Sequence, residues 1–361
     1  MVRGACLAAD YVREHDLLRG KCLELVLADD QASAAHEAMW RSAVGEMAKL
    51  AIVDNVLAVL GNWMVRTTDH VVALSHQLGV PHFVTTGHPD ITRRQYDSVF
   101  RTFYTTAERA DIMVRFMQRH GAKRIAILAS TSAFGKFFAD AAAIQAAASC
   151  EVLRIDFDPD AVTDFRADLR QVLAFRPDFV LNLGIIARDS VYNIINQAGE
   201  IGLCPGAAML VGIPVPSAAA DFWQRVGSNG HLITWAATEF RPGWQGMTAI
   251  GRWFVARYMA QYGGFPSEMS LTAFTDVTIM AQALARTADQ SRAGLIAALG
   301  EGSFDTWRGP VSFERGADHW HHSSSALQLM QYQSVGHGLQ QAAIVYPETL
   351  QTHDYVLARA A

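Results

Sequence analysis

Two hydrophobic rhythms alternate along this chain. Short continuous apolar runs suit strands buried on both faces of a parallel sheet. Segments with apolar residues every three or four positions suit amphipathic helices. The stretch from Val56 to Thr92 shows both. Leu57–Leu60 predicts a strand that Gly61 ends. Thr67 or Thr68 caps the next helix, with Asp69 in its first turn. Val71, Val72, Leu74 and Leu78 form its apolar face, and Gly79 and Pro81 stop it. A second strand follows over His82–Thr85.

The same alternation runs on down the chain. Downstream, Thr105 to Glu108 is a capping box opening a helix to about His120, with Ile112, Met113, Phe116 and Met117 at helical spacing. Arg124–Ala129 is the next strand. After Thr163 comes a helix with Phe165, Leu169, Val172 and Leu173 on one face, then a strand over Phe179–Leu183. Asp189 or Ser190 caps a helix with Val191, Ile194, Ile195 and Ala198 inward. Met209–Ile213 and Leu232–Ala236 are further strands, and long helices follow near Met247–Tyr262 and Leu271–Thr287. Repeated strand–helix units with right-handed crossovers predict an α/β fold of doubly wound, Rossmann-like sheets. A length of 361 residues predicts about two such domains.

In open parallel sheets, ligands bind at the carboxyl ends of the strands. That rule selects the loops Asn62–Thr67, Thr85–His88, Ser130–Gly135, Gly184–Ala187 and Gly212–Pro214. Threonine hydroxyls and glycine amides near a helix start hold a carboxylate or carbonyl oxygen. Trp63 and Phe134 offer flat apolar walls, and Trp63 reads equally well as a loop aromatic packed on its own helix. Arg66 is either an anion partner or an exposed helix-start arginine.

Composition narrows the function only by exclusion. A net charge of −5 with no polybasic face argues against a nucleic-acid partner. No apolar stretch reaches the roughly 20 residues of a membrane span. Cys6, Cys22, Cys150 and Cys204 lack metal-ligand spacing, and Cys22 reads as a buried strand residue. His319 and His321, alternating on a strand beside Asp318 and His322, would share a face that a metal could use. Asp29 and Asp30, adjacent on a strand end, point apart and make a poor catalytic pair. G-x-S-x-G, H-E-x-x-H, the phosphate-binding G-x-x-x-x-G-K-[ST] and C-x-x-C are all absent. No catalytic residue or cofactor is expected.

Several segments, in order, resemble one known family. They are LELVLADDQASAAHEA, VLAVLGNWMVRTTDHVVALSHQLGVPHFVTTGHPDIT, SVFRTFYTTAERADIMVRFM, RIAILASTSAFGKFFADA, FRPDFVLNLGIIARDSVYNIINQAGEIGL and WRGPVSFERGADHWHHSS. Together they resemble the branched-chain amino acid and amide binding proteins of ABC importers, which have the type I periplasmic binding fold. The resemblance covers nearly the whole chain; no one segment is specific by itself. It implies two lobes joined by short crossing strands near residues 119–123, 237–243 and 303–309. Lobe one is then 1–120 with 243–303, and lobe two 121–242 with 304–361. It further implies a ligand cleft between the lobes, hinge closure on a small polar organic solute without chemical turnover, and delivery to ABC permease subunits in the periplasm. A cytoplasmic ligand-sensing regulator of the amide-sensor type is the alternative. The implied ligand residues are Asn62, Trp63, Met64, Thr85, Thr86, Gly87, Phe134, Gly135, Gly184, Ile185 and Ile213. For His319 to His322 the resemblance implies a polar hairpin with no metal role, so no metal site is expected.

The chain departs from that family in three places. The family begins with a signal peptide, a first strand and a glycine-rich loop, whereas Met1 here opens onto a segment that resembles the family's first helix, Ala5–His15, and second strand, Leu23–Leu27. The expected reading is a start shortened by truncation, with the first strand of lobe one missing. Val65 stands near the family's ligand serine. Gly212–Ile213–Pro214–Val215 lacks the acid that amino acid binders place there for the ammonium group, with Glu239 the nearest substitute. An unpaired buried ammonium is costly, so an amide or an amine-free carboxylate is expected to outbind leucine.

Overall fold

The structure, a computed structural model, describes residues 1–30, 36–184, 189–212, 219–237, 244–323 and 327–358, and the side chains at 36–39, 66 and 237 fall outside that description. The chain forms two compact units, Met1–Thr105 with Gln245–Ala326 and Thr106–Trp244 with Leu327–Ala361.

Unit 1 opens with helix α1 (Val2–Glu14), which buries Ala5, Leu7, Ala8 and Val12. The expected strand over Leu23–Leu27 does not form. Residues 21–30 carry no regular structure, and Leu27 is 65% exposed. An extended segment becomes a strand only when a neighbour completes its hydrogen-bond ladder, and no described strand pairs with this one. Cys22, expected to be buried there, is exposed for the same reason.

After α2 (His36–Ala48) come β1 (Val59–Gly61), α3 (Val65–Gln77), β2 (His82–Val84), α4 (Asp90–Arg93) and β3 (Val99–Phe100). The three strands are parallel in the order β1-β2-β3, with Gly61 opposite Val84. Helix α3 covers them. Val71 packs with Met47, Val59 and Val80, and Val72 with Val84, Ile91 and Val99.

The chain enters unit 2 through α5 (Thr106–Arg119). It continues as β4 (Arg124–Ser130), α6 (Ala133–Ala146), β5 (Glu151–Phe157), α7 (Arg166–Phe175), β6 (Phe179–Leu183), α8 (Ser190–Glu200), β7 (Met209–Gly212), α9 (Phe222–Val226) and β8 (Thr234–Ala237). Back in unit 1 it forms α10 (Ala249–Tyr262), α11 (Glu268–Arg286), α12 (Arg292–Glu301), the hairpin β9 (Ser303–Thr306) with β10 (Gly309–Ser312), and the pair β11 (Glu314–Arg315) with β12 (Trp320–His322). Helix α11 packs on α1 so closely that a Cβ on Gly4 would fall 1.9 Å from the Ser270 carbonyl oxygen. The chain then adds β13 (Gln328–Gln331) and β14 (Ala343–Tyr346) to unit 2.

The unit 2 sheet runs β14-β13-β8-β7-β6-β4-β5, parallel from β8 to β5 and antiparallel at β13 and β14. Strand order reverses at β4, because β5 lies on one side of it and β6 on the other. The neighbours β4 and β6 therefore flank the topological switch point, where open α/β sheets hold their ligands.

The division into units differs from the expected one at two crossings. Helix α5 buries Ala110, Met113, Val114, Phe116 and Met117 in the unit 2 core, so the first crossing lies before it, at Thr105, and not near residues 119–123. Residues 303–323 stay in unit 1 because Phe304 and Phe313 join Phe83, Phe100 and His321 in one aromatic cluster, with Phe313 centred 5.1 Å from Phe100. Most of the expected crossing at 237–243 lies outside the described residues.

Candidate functional site

In unit 1, the candidate residues sit beyond the carboxyl ends of the adjacent strands β1 and β2. Gly61 and Asn62 both take positive φ, 151° and 59°. Asparagine tolerates the left-handed region because its side chain can bond locally. Here the Asn62 amide donates to Asp30 Oδ2 at 3.1 Å. Helix α3 starts at Val65 with Met64 as its cap, earlier than a Thr67 or Thr68 cap predicts. The Thr68 hydroxyl instead donates back to the carbonyls of Asn62 and Met64, at 3.1 and 2.9 Å. This turn leaves Trp63 58% and Met64 41% exposed. The side chain of Arg66 lies outside the described residues.

Thr85 and Thr86, at the end of β2, are fully buried, as is Thr67 in the first turn of α3. The hydroxyls of all three have no hydrogen-bond partner among the described residues. A buried hydroxyl without a partner costs on the order of 1–3 kcal/mol, so such groups call for an explanation. The next residues, Gly87 and His88, are half-buried, and burial lowers the His88 pKa, with Asp90 opposing.

In unit 2, Phe134–Gly135 and Gly184 lie beyond β4 and β6, the two strands of the switch point, where Ala129 pairs with Leu183. Ser132 caps α6 and accepts from the Gly135 N–H at 3.1 Å, while its own Oγ lies 2.7 Å from Ser130 Oγ. Position 135 must be glycine, since a Cβ there would fall 2.2 Å from Ser130 Oγ and 2.3 Å from the Ser130 carbonyl oxygen. The half-buried Phe134 sets its ring edge-on to Phe138, centroids 5.7 Å apart. Asn182 ties the two sides of the second loop together. Its amide nitrogen donates to the Val191 carbonyl and its amide oxygen accepts from the Gly184 N–H, both at 3.1 Å. A Cβ on Gly184 would meet the Val191 nitrogen at 2.8 Å. Ile185 and Ile213 lie outside the described residues, as do Pro214, Val215 and Glu239.

The histidine hairpin is built differently from the simple alternation expected of it. His321 takes a φ of 48°, which breaks the strand's alternation. His321 Nε2 accepts from Arg315 Nε at 3.0 Å, and His322 Nδ1 accepts from Arg101 Nε at 3.1 Å. A lone pair engaged by a guanidinium is not offered to a metal, and no trio of His, Cys, Asp or Glu among the described residues is placed to hold one.

The strand-end rule selected the loop Ser130–Gly135 without singling out Ser130 or Ser132, and it passed over Arg101 and Asn182. Ser132, three residues before Gly135, carries a helix-start signal that points to it. Arg101 and Asn182 carry none, because their partners are set by the fold.

No helix among the described residues is long and apolar enough to cross a membrane. No curated protein matches this sequence. Solved structures do. A branched-chain amino acid ABC transporter periplasmic ligand-binding protein from Burkholderia xenovorans is 18% identical, with TM-score 0.79 over 96% of this chain and 89% of that one. A branched-chain amino acid transporter substrate-binding protein from Streptococcus pneumoniae, solved with isoleucine, is 20% identical, with TM-score 0.76 over 96% and 93%. A solute-binding protein of an ABC transporter from R. palustris, solved with benzoate, is 20% identical, with TM-score 0.72 over 97% and 93%. These likenesses establish the fold. The model of the periplasmic binding protein family matches residues 1–337: this chain belongs to the periplasmic binding protein family.

Proposed function

We propose that this chain is the solute receptor of an ABC importer, binding a small organic carboxylate or amide without chemical turnover and handing it to permease subunits in the periplasm. One observation carries the ligand chemistry. The hydroxyls of Thr85 and Thr86, just beyond β2, and of Thr67, in the first turn of α3, are buried and unpartnered among the described residues. Hydroxyls so placed are donors for an oxygen-rich group. In this reading Asn62, Trp63, Met64, Thr85, Thr86 and Gly87 of unit 1 contact the solute, and so do Phe134, Gly135, Gly184, Ile185 and Ile213 of unit 2.

Relatives of this fold are named with ligands of both kinds, isoleucine and benzoate. The sequence Gly212–Ile213–Pro214–Val215 offers no carboxylate for an ammonium group, which favours the benzoate kind. A thermal-shift screen of amino acids, amides and aromatic and aliphatic acids tests this. An amine-free acid or an amide should give the largest shift. The largest shift from leucine, isoleucine or valine would overturn the choice of ligand class.

A further inference from the structure

Arg101 directly follows β3 and is buried, with 1% of its surface exposed. Its main chain is pinned on both sides by the β12 region. The Arg101 N–H donates to the His321 carbonyl at 3.0 Å, and its carbonyl accepts from the Ser323 N–H at 2.9 Å. From that mount the guanidinium reaches the loop that follows β2. Nη1 donates to the His88 carbonyl at 2.8 Å and, more loosely, to the Thr86 carbonyl at 3.5 Å. Nη2 donates to the Thr92 hydroxyl at 2.7 Å, and Nε to His322 Nδ1 at 3.1 Å. The Thr92 hydroxyl passes the restraint on, donating to the Pro89 carbonyl at 3.3 Å.

Three of these four acceptors belong to one short segment, residues 86–92, which runs from the end of β2 into α4. A guanidinium holds its donors in a rigid plane, so several acceptors bound to it are fixed relative to one another. A lysine ammonium supplies charge without that plane. Hydrogen bonds in a buried site are also strong, and leaving one unmade is expensive. The loop therefore has one conformation that satisfies the fork.

We infer that Arg101 is a positioning residue: it locks the segment Thr85–Thr92, so that the Thr85 and Thr86 hydroxyls and Gly87 are held in place before a solute arrives. Pre-ordering a binding loop removes part of the ordering cost of association. The functional side of this inference rests on the reading that the solute contacts this loop. Arg101's hold on the loop is measured without any solute.

The experiment is hydrogen exchange by mass spectrometry on the full, unliganded chain, for wild type, Arg101→Lys and Thr92→Val. Arg101→Lys should speed exchange of the amides between residues 85 and 93 by tenfold or more while α1, α3 and α11 keep their protection. Thr92→Val, which removes one acceptor of the fork and the bond to the Pro89 carbonyl, should give a smaller change in the same segment and serves as the deciding variant if Arg101→Lys does not fold. In Arg101→Ala, added ethylguanidinium should restore protection of that segment. Unchanged exchange over 85–93, or acceleration spread evenly through unit 1, would overturn the inference. A calorimetric titration with benzoate separates the two readings. A loosened loop with unaltered benzoate affinity supports Arg101's hold on the loop and overturns the placement of the solute there.

Discussion

Asp276 lies in the middle of α11 with no exposed surface. Its Oδ1 accepts a short hydrogen bond from the Thr102 hydroxyl, and its Oδ2 has no partner among the described residues. Burial pushes its pKa from an ordinary 3.8 up to about 8, with the Thr102 bond pulling the other way. The folded protein thus keeps this carboxyl protonated at pH 7, whereas the unfolded chain ionises it. Each pH unit between 3.8 and 7 adds about 1.4 kcal/mol to that difference, so holding Asp276 in the fold costs roughly 4 kcal/mol at pH 7. The sign follows from a raised folded-state pKa. The stability is present in full below pH 3.8 and is lost as pH climbs through 8. Asp276→Asn keeps the acceptor for Thr102 and cannot ionise. It should stabilise the protein by roughly 2–4 kcal/mol at pH 7. The gain should shrink toward zero near pH 4. Urea denaturation of wild type and variant at several pH values between 4 and 8.5 checks this. A stability difference that stays constant across that range would refute the reasoning, because Asp276 would then ionise alike in the folded and unfolded states.

Three further outcomes follow from the same geometry. Thr86→Val removes a buried, unpartnered hydroxyl, so thermal unfolding of the free protein should show it neutral or stabilised by up to about 1 kcal/mol, while solute affinity falls at least tenfold; weakened stability with intact affinity would remove Thr86 from the site. Burial holds the pKa of His82 at about 4, below its ordinary 6.5, so stability should fall by up to ~3 kcal/mol as pH drops from 6.5 to 4, and His82→Asn should flatten that part of the denaturation profile. Phe134→Ala should weaken solute binding by roughly 1–3 kcal/mol if the ring stacks on the solute, and unchanged affinity in calorimetry would take Phe134 out of the site.

Where local signals agreed, the chain was readable. Phe179–Leu183 lies between Pro177–Asp178 and Gly184, and it is the strand β6 to the residue. Val191, Ile194, Ile195 and Ala198 are buried along α8 as their spacing predicts. The reading failed where structure depends on distant partners. Leu23–Leu27 has the composition of a strand, but composition cannot supply the neighbour that would complete its ladder. The first crossing between units could not be seen because α5 is an ordinary amphipathic helix, and only the core that receives Met113 and Phe116 decides its unit. Arg101 was invisible as a loop anchor for a similar reason. Its restraint joins residues 86–92 to His322, and that distance in sequence carries no local pattern. The glycines of the candidate site were legible as loop residues, but not the close approaches that require them at 135 and 184.

The claim that this protein is a solute receptor for amine-free or amide ligands is tested most directly by calorimetric titration of the full chain with benzoate, a simple aliphatic amide and leucine. The account predicts saturable one-to-one binding, with benzoate or the amide at least tenfold tighter than leucine. Leucine binding tightest would contradict the assigned ligand chemistry, and no saturable heat from any of the three, or from a wider panel of small acids, amides and amino acids, would contradict the receptor itself.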